Sequence, residues 1–251
     1  MLIVRIEPTL SALYTAVFDC FKRVKPDLVT SDEAVQIGFY DRMMTVAADP
    51  QKAARIERAA MKGLGYAGFE DFKQVALCSD PRRETALFGW LTLFFEEGRS
   101  ALANAAHPAV ALFRELHQKV TNEIHRLKGF VRFQACDNGF YYAQISPDHN
   151  VTAQLMPFFA NRFGDQPFLL HDVVRNLIGV YANGHWKVFA HDGFFEVTLS
   201  EEESAFADLF RRYYRSVNIP GRKNLRQQDN YLPRRYRRNM PETWQSTSFG
   251  A

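Results

Sequence analysis

The sequence predicts an α+β fold, with a helical N-terminal half, a small antiparallel sheet with helices in the second half, and an irregular basic C-terminal arm. Three observations predict it. Apolar residues recur at helical spacing through the first half. The second half changes to short β-branched and aromatic runs separated by Asn-Gly turns. From Arg211 to Arg238, twenty-eight residues then carry ten Arg or Lys and one acid, Asp229.

Leu2 to Ile6 reads as a strand. Leu10, Leu13, Tyr14, Val17, Phe18 and Phe21 share one face of an amphipathic helix that ends before Pro26. Helical stretches are expected from Pro50 to Gly63 and from Phe69 to Leu77. Leu87, Trp90, Leu91, Phe94 and Phe95 repeat the helical spacing up to a stop at Gly98. A long helix should start at Pro108, whose fixed φ suits a first turn, and run to Leu127 before Gly129.

In the second half, Phe130 to Phe133 and Phe140 to Ile145 read as strands around a turn at Asp137, Asn138 and Gly139. Val151 to Phe163 reads as a helix that Pro157 should kink or break. Phe168 to Leu170, Val173 to Tyr181 and Trp186 to Phe189 are strand candidates, the last two joined at Asn183-Gly184. Ser200 and Glu203 form a capping box for a helix whose buried face would be Phe206, Leu209, Phe210 and Tyr213. The domain reading is a mainly helical part over 1–105, a core over 106–244 and a tail over 245–251, joined in one integrated domain.

The 251 residues, 22 of them Phe, are enough to bury a sizeable core. No secretory signal or transmembrane stretch is read, so a cytoplasmic protein without membrane contact is expected. Cys20, Cys78 and Cys136 lie far apart and make no zinc or iron–sulfur spacing, so no metal and no cofactor is expected. The chain has no P-loop, no GxGxxG and no GxSxG, which leaves nucleotide triphosphatase, dinucleotide and serine-hydrolase readings without support.

The basic segment has net charge +9 in a chain that totals +3. Cations interleaved with Tyr213, Tyr214, Tyr231 and Tyr236 are what a phosphate-neutralising, base-stacking surface needs. The candidate nucleic-acid contacts are Arg126, Arg132, Arg222, Lys223, Asn224, Arg226, Arg234, Arg235, Tyr236, Arg237 and Arg238. The competing reading pairs these arginines with the chain's own acids or locks the arm onto the domain. Pro220-Gly221 and Pro233 make the arm angular, which does not suit a continuous recognition helix.

Candidate catalytic residues are His125, Asp148, His149, His171, Asp172 and Arg175. Glu123 and His125 are two apart, so they do not share a helix face, and the stretch reads as a helix C-terminus with dipole-favoured cations. Asp148 is placed to cap the following helix. The dipeptides Asp148-His149 and His171-Asp172 sit at strand ends and could converge on one pocket, where a histidine would act as general base.

From His117 to Trp244 the chain carries, in this order, the blocks EIHRLKGFVRF, YAQISPDHN, FFANRF, LLHDVVRN, YYRSVNIPGRKN and LPRRYRRNMPE. In these blocks it resembles a bacterial family linked to DNA metabolism and repair, whose domain carries a domain-of-unknown-function label. LSALYTAVFDCF also resembles the family's opening helix. The chain departs from the family pattern in two places: Arg237 stands where the family has Trp, and Glu7-Pro8 where it has Asp-Gly. The resemblance implies DNA-linked work beside a radical-SAM protein of DNA modification or repair. Some members are fused to a uracil-DNA-glycosylase-like domain; this chain looks like the stand-alone partner.

The expectation is therefore a DNA-binding accessory protein. An enzyme acting on DNA or a nucleotide through the His/Asp residues is the first alternative, and a protein-interaction module that ignores DNA is the second.

Overall fold

The structure is a computed structural model that describes residues 1–191, 198–200, 202, 203, 205, 206, 209, 226, 229 and 232–240. Phe210, Tyr213, Tyr214, Arg222, Lys223, Asn224 and Tyr231 lie outside the described residues. The chain forms two compact units, Met1–Asn122 and Glu123–Ala251.

In the first unit, β1 (Leu2–Ile6) is the central strand, flanked in parallel by β2 (Leu28–Thr30) and β3 (Arg42–Val46). Its apolar run is buried on both faces, as a central parallel strand requires, with Ile3 and Val4 fully covered. This sheet is an addition to the helical half that the sequence predicts. Its outer strands are short, and parallel pairing leaves no local hairpin signal.

Helix α1 (Leu10–Cys20) starts where Thr9 accepts a hydrogen bond from the Ala12 amide at 3.1 Å. Helix α2 (Pro50–Ala76) is capped by Asp49 and broken at Gly65, whose φ of 71° with ψ of 174° is a combination essentially confined to glycine. That break separates the two helical stretches read from the sequence. Helix α3 (Arg83–Glu97) stops at Gly98, as expected. Tyr14, Phe72, Trp90 and Phe113 form a chain of ring contacts through the core, ending in a 4.2 Å stack of Trp90 on Phe113. Helix α4 (Pro108–Phe130) contains the division between the units.

The second unit holds a five-stranded sheet in the order β4 (Gln134–Ala135), β5 (Tyr141–Ile145), β6 (Phe168–Asp172), β7 (Leu177–Ala182) and β8 (His185–Ala190). The α+β class stands. Three of the four ladders are antiparallel, as expected, and β5 pairs with β6 in parallel. The reason is α5 (Thr152–Phe163), a crossover helix that returns the chain to the same end of the sheet. It continues through Pro157. On its buried side Met156 lies over Gly179 of β7.

Two strand boundaries differ from the sequence reading. Phe130 belongs to α4, which runs past Gly129, and β4 begins only at Gln134. Val173–Asn176 form a turn because the Asp172 carboxylate accepts from the Val174 and Arg175 amides. Asn183 and Gly184 both have positive φ, the geometry of the expected tight hairpin.

After β8, the Ser200 hydroxyl caps the Glu203 amide at 3.2 Å. The Glu203 carboxylate, expected to reach back to its own cap, accepts from Ala135 of β4. Phe206 and Leu209, expected on a buried face, are exposed. A single helical turn, α6 (Arg234–Arg237), is described near the end.

Cys20, Cys78 and Cys136 are buried free thiols, and burial raises the pKa of each. Among the described residues no helix is long and apolar enough to cross a membrane.

Candidate functional site

Of the sequence-predicted residues, Asp148, His149, Asp172 and Arg175 gather around the carboxyl ends of β5 and β6. Glu123 of α4 is the hub. Its buried carboxylate accepts from the amides of Asp148 (2.9 Å) and His149 (2.7 Å) and from the Tyr236 hydroxyl (2.7 Å). A buried carboxylate is tolerated only when such donors replace water. Arg235 of α6 adds its charge, 2.7 Å from Asp148 and 3.5 Å from Glu123, while its guanidinium lies over the Tyr236 ring. Asn239 donates to Ser146 at 3.0 Å. The closing block of the chain is thereby fastened to the loop that follows β5.

Asp172 is fully buried at the end of β6. It accepts from two amides of its own turn, from Thr152 at the start of α5 and from Arg175. Arg175 also donates to the carbonyls of Pro147 and Asp148. One arginine thus ties the turn after β6 to the loop after β5. Glu123 and Asp172 are both buried and their carboxylates organise the backbone of these loops. Asp148 does not cap α5: Val151 occupies that position without a side-chain bond, and Asp148 faces Arg235.

The two histidines have different surroundings. His149 is buried in the loop beside Glu123, and burial lowers its pKa; the Arg175 and Arg235 charges push the same way, against the pull of Glu123 and Asp148. His171 points to the opposite sheet face from Asp172, because neighbours on a strand alternate. There its Nδ1 meets the Tyr142 hydroxyl at 2.8 Å, and Gln144 donates to the same hydroxyl. Burial, helped by His191, lowers the His171 pKa. Among the described residues no three His, Cys, Asp or Glu converge as a metal site would require.

The nucleic-acid candidates divide. Arg226, Arg234 and Arg238 are exposed. Asp229 pairs with Arg234 at 3.1 Å and with Arg237 at 2.7 Å. Tyr236 is buried, so its ring is packing against Phe130 and presents no face to a base. Arg126 is half-buried on α4, and His125 is exposed there. Arg132 lines a separate cleft of about 320 Å³ with Lys128, Arg162, Phe133, Tyr141 and Phe163. Sequence reasoning missed two members. Glu123 was visible as an acid on the apolar stripe Leu116, Val120, Leu127, and Arg162 as the cation of the FFANRF block.

Residues 81–242 match the family described as a domain of unknown function, DUF4130. The chain belongs to this family. The matched stretch holds every residue of the constellation, from Glu123 to Asn239, and both cleft arginines. A comparison with curated proteins finds no match.

Proposed function

We propose that this protein binds DNA as an accessory factor and presents it to a partner enzyme of DNA repair or modification. The resemblance of its sequence blocks points to a radical-SAM protein as that partner. The observation that carries the reading is how the described end of the basic segment is held. There Arg235, Tyr236 and Asn239 bond to the loop after β5 and to Glu123, while Arg234 and Arg238 beside them are exposed. Exposed cations in a segment of net charge +9 bind phosphates without reading sequence.

The test is fluorescence anisotropy of the full chain with single- and double-stranded DNA across a salt series. Affinity should fall steeply with salt, with a log–log slope of about −0.9 per duplex phosphate neutralised. Replacing the exposed Arg226, Arg234 and Arg238 with Ala should weaken binding and flatten the slope. Absence of binding at low salt overturns the reading.

A further inference from the structure

The cleft beside α4 and α5 is distinct from the Glu123 constellation. The last turn of α4 supplies Lys128 and Gly129, the link to β4 supplies Val131, Arg132 and Phe133, β5 supplies Tyr141, and α5 supplies Phe159, Arg162 and Phe163. Two Arg-Phe pairs, thirty positions apart in the chain, thus face one opening. Three cations border it, and the described lining contains no acid. The aromatic wall is prepacked. Phe133 contacts Phe159 and Phe163 at ring distances of 5.0 and 4.6 Å, and Tyr141 contacts Phe163 at 5.3 Å. Tyr141 and Phe163 are partly exposed, and both line the opening. Arg132 is fixed at the rim by the carbonyls of Gly129 and Val131, at 2.9 and 3.4 Å.

Gly129 carries a second, independent indication. Glycine is disfavoured in a helix relative to alanine. In α2 packing explains one: a Cβ on Gly63 would lie 2.4 Å from the Phe94 ring. A Cβ on Gly129 would meet nothing within 4 Å. Gly129 is exposed and lines the cleft, so a larger side chain there would stand at its opening.

We infer that this cleft takes a single nucleotide of a DNA strand, with its phosphate at Lys128, Arg132 and Arg162 and its base against Tyr141 and Phe163. A volume of about 320 Å³ lies at the small end of ligand pockets, which span about 300–1,000 Å³. That suits one unstacked nucleotide and excludes a duplex. Stacking on aromatic rings beside cations is how single strands are held without regard to sequence. The inference rests on the DNA reading above for the source of its ligand, so the experiment has two arms.

In the first arm, 5′-dAMP and 5′-dCMP are titrated into the full-length chain and followed by saturation-transfer NMR, with inorganic phosphate as competitor. Base protons should receive saturation in the wild type. Gly129→Leu, which fills the space without removing charge, should lower the signal at least 5-fold. Arg162→Glu, at an exposed position, should raise the Kd at least 10-fold. Circular dichroism melts confirm that both variants fold. No transfer to base protons, or transfer unchanged in Gly129→Leu, overturns the inference. So does complete competition by phosphate with silent base protons, which would make the cleft an anion site alone.

The second arm compares single-stranded and duplex DNA by anisotropy. Gly129→Leu and Arg162→Glu should weaken single-strand binding about 10-fold and change duplex binding less than 2-fold. Equal single-strand binding by wild type and variants sinks the cleft while leaving the DNA reading intact. A wild type that takes up mononucleotides but neither DNA sinks the accessory reading and keeps the cleft as a nucleotide site.

Discussion

The Tyr236 hydroxyl donates to Glu123 Oε1 at 2.7 Å, joining residues 113 positions apart. Burial, reinforced by Glu123, pushes the Tyr236 pKa well up, so the phenol remains a donor through the alkaline range. Tyr236→Phe should lower stability by about 1–3 kcal/mol, because a buried carboxylate loses one of its donors. Glu123→Ala should cost more, about 3–5 kcal/mol, since two amides and the phenol are left unpaired. Urea denaturation of both single variants and the double should give a coupling above about 0.5 kcal/mol.

Stability should fall between about pH 6.5 and pH 5, and His149 and His171 are the reason. Burial holds both imidazoles below the ordinary histidine value. As pH drops through about 6.5 the unfolded chain takes up protons that the folded chain refuses, so stability present above that pH is lost below it. The urea midpoint should therefore be lower at pH 5.0 than at pH 7.5. Replacing both residues with Asn should flatten the difference.

Adjacent arginines of α6 should separate by assay. The Arg234 side chain is 82% exposed and Arg235 is turned onto Asp148 and Glu123. Arg234→Ala should change stability by less than about 0.5 kcal/mol and weaken DNA binding. Arg235→Ala should cost about 1–2 kcal/mol, below the ~3–5 of a fully buried pair because Arg235 is partly solvated. Thermal denaturation and the anisotropy series read the two effects independently.

Two glycines should resist substitution for different reasons. Gly179→Ala sets a Cβ against buried Met156 and should cost about 1–3 kcal/mol through overpacking. Gly184→Ala forces an L-residue to a φ of 76° and should cost about 1–2 kcal/mol. Shortening Met156 should relieve the first and leave the second unchanged, as urea midpoints would show.

These elements differ in how far the sequence disclosed them. Helix α1, the break at Gly65, the stop at Gly98 and the Asn183-Gly184 hairpin rest on local signals, namely apolar spacing and backbone-permissive residues. Strands β2 and β3 were hidden because their pairing with β1 is parallel and non-local. Val173-Val174 looked like strand, and only the Asp172 side chain makes it a turn. At the site, Asp148, Asp172 and Arg175 are legible as motif residues, yet their mutual bonding depends on α5 returning the chain to the same sheet end. Glu123 shows in the sequence as an acid on an apolar stripe; its three donors come from segments 25 and 113 residues away, which no local pattern encodes.

The sealing of Cys20, Cys78 and Cys136 inside the fold has a practical side. The thiolate is the form that attacks thiol reagents, and burial disfavours it at all three positions. The native protein should react slowly with maleimides, and no cysteine has to be removed before labelling. A cysteine introduced at an exposed position would then be the fast-reacting group, and a dye on it at the cleft rim could report occupancy in real time.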